Sequence, residues 1–274
     1  MLDRAFLERY TSASVRDLGE TADTAGGSEP PMVAGALALV RDLSAAGIEA
    51  RLMGGVGIAV RSPTMYVHPL ARTYDDVDFV TDRGGARLLH KVMPQLGFVA
   101  AEQFNALQGS RRLLFRRAPG TAIEKVDVFI ERVDMCHTID LAERLRLHST
   151  TLSLADLLLL KLQIVELNEK DVRDVAALLL DHDVGRDEDV VNAAYLAELC
   201  AGDWGLWKTV TTSLDRLQTD ADRLVPEDSR RLLRDRFDAL RAAIEAAPRT
   251  RKWKLRARVG ERVRWYELPE EVDR

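Results

Sequence analysis

The stretch Leu52–Phe79, LMGGVGIAVRSPTMYVHPLARTYDDVDF, decides how this chain is read. A short apolar run ends at Gly54-Gly55. A helix-like segment, Val56–Arg61, and a loop opened by Ser62-Pro63 follow. The chain then re-enters as a strand, Asp76–Thr81, and because side chains alternate on a strand, Asp76 and Asp78 point one way while Val77 and Phe79 point the other. A solvated strand end is the plain reading of an isolated pair of this kind. The glycines upstream add a second element. Glycine lets the backbone approach an anion closely, and a helix starting there offers free N–H groups to phosphate. A phosphate cradle beside metal-binding carboxylates is equipment for phosphoryl or nucleotidyl transfer.

Two later segments bear on that reading. Ile123–Glu131, IEKVDVFIE, has strand alternation: Val126, Val128 and Ile130 form one face, and Lys125, Asp127, Phe129 and Glu131 the other. Asp127 therefore sits between apolar neighbours, with Glu124 and Glu131 as weaker candidates nearer the strand ends. From about Leu152 the texture turns helical. Ser153 to Asp156 resembles a capping box, and LADLLLLKLQIVEL follows, with Lys161 interrupting an apolar face. That lysine either snorkels from a buried helix or serves the site. Lys170-Asp171-Val172-Arg173-Asp174 places Asp171 and Asp174 on one helical face at i, i+3. Its plain reading is a solvated first turn with Asn168 as N-cap.

Gly54-Gly55, then Asp76-Val77-Asp78, then Asp127 resembles the pattern of the DNA polymerase beta-like nucleotidyltransferase superfamily. Arg72 through Phe79 looks most like bacterial AbiEii-type and minimal nucleotidyltransferases. Twenty residues separate Gly55 from Asp76, a longer spacer than the family pattern, so Ser62–Leu70 reads as an inserted loop. The resemblance covers roughly residues 48–131. The lysine and the K-D-x-x-D segment extend it to about 174 with less specificity. It implies an α+β fold: a mixed sheet flanked by helices, then a helical domain. It also implies two Mg²⁺ ions on Asp76, Asp78 and Asp127, with Asp127 activating an acceptor hydroxyl. The nucleoside triphosphate is expected on Gly54, Gly55 and Arg72, with Lys161 meeting the triphosphate and Asp171 or Asp174 orienting it. An RNA end such as tRNA is the first acceptor the family suggests, in a toxin with an antitoxin partner. A small hydroxylated molecule, a protein acceptor and a non-catalytic nucleotide- or RNA-binding module are the alternatives.

With 274 residues, 46% hydrophobic and 30% charged, the chain has the composition of a globular protein with material for a core. No apolar run suits a membrane span, and MLDRAFLERY lacks the apolar region of a secretory signal. Cys136 and Cys200 have no metal-type spacing and are expected as buried thiols. A cytoplasmic location is the expectation. The net charge of −5 excludes a bulk polyanion binder, so any nucleic-acid contact needs a local patch.

The division expected is 1–150 for the catalytic domain, 151–247 for a helical domain and 248–274 for a basic tail. Helices are expected over Leu2–Leu18, Met32–Ala46 and Gly85–Leu96, with a loop at 21–31. Strands are expected at Ile48–Met53, Phe98–Ala101 and Arg111–Arg117, with Phe104–Ala106 in a turn. Three more helices are expected over 187–247, broken near Gly202 and Pro226, with Trp204 and Trp207 as packing anchors. The tail holds eight basic residues and one acid over 248–266. Lys252, Lys254, Arg256 and Arg258 alternate with Trp253, Leu255, Ala257 and Val259, the pattern of a strand, with Gly260-Glu261 as a hairpin turn. Such a ribbon could contact a nucleic-acid backbone, extended by Arg111, Arg112, Arg116 and Arg117. The five histidines form no zinc-hydrolase spacing, and neither a nucleophile elbow nor a Walker loop occurs.

Overall fold

The computed structural model describes residues 29–268. The helix expected at Leu2–Leu18 and most of the 21–31 loop lie outside the described residues. Pro31, whose missing N–H costs nothing at a helix start, opens α1 (Pro31–Ala45). Gly47, at φ 77°, turns the chain out of it toward β1 (Ala50–Met53). Then come α2 (Gly54–Arg61), a 3₁₀ turn (Pro63–Tyr66), β2 (Val77–Thr81) and α3 (Arg83–Gln95). The sheet is completed by β3 (Val99–Ala100), β4 (Arg112–Arg116) and β5 (Lys125–Ile130), with α4 (Glu102–Gln108) between β3 and β4.

The five strands are ordered β1-β2-β5-β4-β3. β2 and β5 run parallel, and every other pairing is antiparallel, so the fold is α+β with a mixed sheet. Val77, Phe79, Val126 and Val128 fill the core on one face of the two central strands. A small hairpin, β6 (Arg132–Asp134) and β7 (Thr138–Asp140), leads to a second 3₁₀ turn, Ala142–Arg146.

The outer edge of β1 is closed by the chain that leaves the sheet. Leu52 N–H donates to the Thr150 carbonyl at 2.9 Å, and Leu152 N–H to the Leu52 carbonyl at 3.0 Å. This removes an open edge and fixes where α5 (Leu154–Leu162) starts. Ser153 caps α5 by accepting from the Asp156 N–H. The helix is buried nearly all round, as its leucines dictate. It packs between α2 and α6 (Glu169–Asp181). A two-strand patch, β8 (Val184–Gly185) and β9 (Val191–Asn192), precedes α7 (Ala193–Gly202), α8 (Trp204–Leu224) and α9 (Glu227–Ala246), with breaks at Gly202 and Pro226 as expected. Cys136 and Cys200 are free and buried. Among the described residues no helix is long and apolar enough to cross a membrane.

Two expectations fail. The Phe104–Ala106 turn is instead the helix α4, because Asn105 has a structural task. Its side chain accepts from Leu114 N–H at 2.7 Å and donates to the Leu114 carbonyl at 3.1 Å, standing in for a strand partner along β4.

The hairpin tail is also overturned: residues Arg251–Val259 form helix α10, followed by a 3₁₀ turn at Gly260–Arg262. Thr250 caps it by accepting the Trp253 N–H at 3.2 Å, and Gly260 ends it at φ 59°. Trp253, Arg256, Ala257 and Gly260 are the half-buried positions, which is a helical period and not a period of two. What selects it is an aromatic seam on α8. Trp253 meets Trp207 at 5.2 Å, Trp265 meets Trp204 at 5.8 Å, and Trp265 Nε1 donates to Thr209 Oγ1 at 3.1 Å. Trp204 and Trp207 are packing anchors, as expected, and the tail is what they hold.

Candidate active site

The carboxylates expected at the site come from two adjacent strands. Asp78 and Asp127 are register partners across the parallel pair β2–β5. Parallel partners in register project to the same face, so the two stand side by side. Asp76 lies just before β2, two residues from Asp78. Met53 is the partner of Asp78 on the other side, so Gly54 begins α2 beside that carboxylate. The contact is close: a Cβ on Gly54 would stand 2.3 Å from Asp78 Oδ2, and Gly54 holds φ 61°. Only glycine satisfies both demands without strain. Gly55 is crowded from above by a different group. A Cβ there would stand 1.8 Å from Arg72 Nη2.

The three carboxylates have different partners. Asp127, 1% exposed, is gripped by Arg112 of β4, whose Nε donates to Oδ1 at 2.7 Å and whose Nη2 donates to Oδ2. Asp76 Oδ2 takes a single contact of 2.8 Å from Lys125 Nζ. Asp78 has no hydrogen bond or ion pair among the described residues. Burial, then the neighbouring charges of Asp76 and Asp127, push its pKa up to about 7, against the weaker pull of Lys161 and Arg112. Burial works against the Arg112 charge, but its bonds to Asp127 and the fields of Asp127, Asp78 and Asp76 raise its pKa overall.

Behind Gly55 lies a second ionic cluster. Arg72 donates to Asp174 through Nε at 2.7 Å and Nη2 at 2.8 Å. Lys161 Nζ reaches Asp171 at 2.8 Å and Asp174 at 2.9 Å. Asp171 also closes the capping box of α6, accepting the Asn168 N–H at 3.1 Å while Asn168 accepts in return. Asn168 is thus the N-cap the sequence suggested. Burial alone would lower the Lys161 pKa, but Asp174 and Asp171 drive it well above an ordinary lysine. Burial pushes Asp174 up, and Lys161 with Arg72 bring it below the usual carboxylate range.

The Ser62–Leu70 segment is pinned to α6. Thr64 donates to Asp181 Oδ2 from its N–H at 3.0 Å and from its hydroxyl at 2.8 Å, and Arg173 donates to the Ala71 carbonyl at 3.2 Å. The segment thereby carries Arg72 over Gly55, with the guanidinium 4.4 Å from the Tyr74 ring centroid.

The weaker candidates have other tasks. Glu124 accepts the Gly120 N–H at 2.7 Å, and Glu131, at φ 63°, pairs with Arg83 at 2.9 Å. Three of the four arginines expected to extend the tail surface have partners within the fold. Arg112 turns to Asp127, Arg117 stacks on Phe98 at 3.9 Å, and Arg111 stands 3.7 Å from Asp134. Arg111 and Arg112 line a cavity of about 260 Å³ together with Glu267 and Leu268. Arg256 is not a free cation either: it donates to the Gly260 and Val263 carbonyls, each at 2.7 Å. Arg112 is the residue that sequence reasoning misplaced. The signal was its place two residues before Leu114 on a strand antiparallel to β5, which becomes usable only once that pairing is known.

Asp76 and Asp78 offer the hard oxygen ligands that Mg²⁺ takes, and an uncompensated charge on Asp78 is what such a cation relieves. Asp127 offers no free oxygen while Arg112 holds it. Among the described residues no three His, Cys, Asp or Glu side chains are placed to hold a metal ion.

No protein-family model matches the chain, and no curated protein matches it. Among solved structures it is similar to an antigenic nucleotidyltransferase-like protein from Paracoccidioides brasiliensis, at 18% identity and a TM-score of 0.40, over 82% of this chain and 97% of that one. That likeness is distant.

Proposed function

We propose that this protein moves a nucleoside monophosphate from a nucleoside triphosphate to an acceptor hydroxyl, releasing pyrophosphate. The observation that carries the reading is the register pairing of Asp78 with Asp127, with Asp76 alongside, directly against the glycine turn that starts α2. The N–H groups opening α2 suit the β- and γ-phosphates, and the Arg72 charge lies over the same turn. Asp174 and Lys161 position Arg72 from behind. A divalent cation such as Mg²⁺ on Asp76 and Asp78 would draw negative charge from the phosphates and favour attack at the α-phosphorus. Burial and the neighbouring carboxylates make Asp78 the group most in need of that cation.

An RNA end is the acceptor this reading favours. What supports it is the exposed basic face of α10, which includes Lys252, Lys254 and Arg258. A second reading, nucleotide binding without transfer, draws on the hold of Arg112 over Asp127. The two separate in one experiment. The protein is incubated with Mg²⁺, each α-³²P-labelled nucleoside triphosphate in turn and total cellular RNA, beside an Asp76→Ala/Asp78→Ala control. Label in RNA with the wild type alone is the expected result. Pyrophosphate release that appears only when small hydroxylated metabolites are added moves the acceptor to that class. No release under any condition would falsify the transferase reading and leave the binding module.

A further inference from the structure

We propose that Arg112 stands in for a second divalent cation at this site, so that the nucleotide-free chain takes one divalent cation, on Asp76 and Asp78, and not two. The inference rests on the transferase reading of the same face.

Arg112 and Asp127 lie on neighbouring antiparallel strands, offset by two residues: Leu114 is the partner of Asp127, and Arg112 the partner of Phe129. The offset puts both side chains on one face at a diagonal that an arginine spans. The planar fork then takes both carboxylate oxygens at once, the geometry in which arginine binds a carboxylate most firmly. A guanidinium stays charged at any pH the protein would meet. It is also fixed by more than its partner. Arg112 sits 4.7 Å from the Phe129 ring centroid and 5.7 Å from that of Phe104, so aromatic rings flank the cation.

Displacing Arg112 would leave a buried carboxylate and a partly buried cation both unpaired, and removing one partner of such a pair is costly. Lys125 holds Asp76 differently, through one contact and not two, on a carboxylate that is 34% exposed where that of Asp127 is 1% exposed. An incoming ion can displace that lysine into water. Three carboxylates therefore face two side-chain cations, of which one is fixed and one is exchangeable. The charge left over is on Asp78.

The test is a Mn²⁺ titration of the full chain without nucleotide, followed by electron paramagnetic resonance, which counts bound ions independently of activity. The wild type is expected to bind one Mn²⁺ per chain and Asp78→Asn none. Arg112→Gln frees the Asp127 oxygens and is expected to bind two, with circular dichroism checking its fold. Asp127→Asn gives a second readout should Arg112→Gln not fold: at saturating Mn²⁺ it is expected to keep one bound ion per chain, held more weakly because a nearby negative charge is lost, since Asp127 does not ligate. Two ions on the wild type, none on it, one on folded Arg112→Gln, or no bound ion at saturation in Asp127→Asn each overturns the inference. One ion without nucleotidyl transfer defeats the transferase reading alone. Two ions with transfer defeats the inference alone.

Discussion

Two ionic clusters lie on either side of the Gly54-Gly55 turn, and they are built to opposite plans. Behind the turn, Arg72, Lys161, Asp171 and Asp174 form a closed set in which every charge has a partner within 2.9 Å. Asp174 is fully buried, and the two cations keep only 11% and 12% of their side-chain surface. In front of it, Asp76, Asp78 and Asp127 face Lys125 and Arg112, and Asp78 has no partner among the described residues. A closed set fixes geometry, because breaking any member strands a buried charge. An open set stores a need for charge, which a ligand can meet. Under the proposed function, positioning would fall to the helix side and chemistry to the sheet side, although both draw on the same residue types.

The largest expected effect comes from the open side. Asp78→Asn is expected to lower the transfer rate by roughly 10³-fold, the scale on which losing a single electrostatic stabiliser acts, while urea unfolding shows a folded chain. Loss of folding along with loss of transfer would erase the contrast between the clusters. On the closed side the pattern reverses. Lys161→Met leaves Asp171 without its cation and Asp174 with Arg72 alone, and is expected to destabilise the protein by about 3–5 kcal/mol in urea titration. A change within experimental error would show that Lys161 belongs functionally to the open side.

The pH dependence sharpens the same contrast. The Asp78 pKa is about 7 in the fold, against about 3.9 in an unfolded chain. Between these values the folded state holds the proton and the unfolded state does not. The fold is therefore penalised progressively as pH rises from about 4 to about 7, by about 1.4 kcal/mol per pH unit. Asp78→Asn is expected to be more stable than the wild type above pH 7, and the two should converge below pH 4. Mg²⁺ added at pH 8 should close part of that gap for the wild type only. Parallel stability curves would remove the claim that Asp78 carries uncompensated charge.

The smallest effect concerns the tail. Replacing Lys252, Lys254 and Arg258 by Gln, with Arg256 left in place, is expected to change stability by no more than about 0.5 kcal/mol. The same variant should weaken RNA binding and reduce the log–log salt slope by about 2, at roughly 0.7 per lost phosphate contact on a single strand. An unchanged slope would remove RNA contact from α10.

The front of the site was legible in the sequence because its determinants are local. Alternation along β2 puts Asp76 and Asp78 on one face, and the β2–β5 register adds Asp127 to it. A Gly-Gly after an apolar run marks a close approach at a strand end, which here is the approach of Asp78 to Gly54. The Asn168 and Ser153 caps act within three residues of themselves. The tail shows where local pattern misleads. RKWKLRARV satisfies a period of two by composition alone, but strands need partners and this one has none. Thr250 before it and Gly260 after it were the helix signals that the alternation obscured.

By itself, then, the sequence determined the α+β order of elements, the glycine turn and the shared face of Asp76 and Asp78, because each follows from backbone geometry over a few residues. Only the tertiary structure decided which charges are spent. Arg112 reaches Asp127 through the β4–β5 pairing, and Arg72 reaches Asp174 across 102 residues of chain. Ion pairing depends on distance in space and on burial, and neither is written in the spacing of residues along the chain.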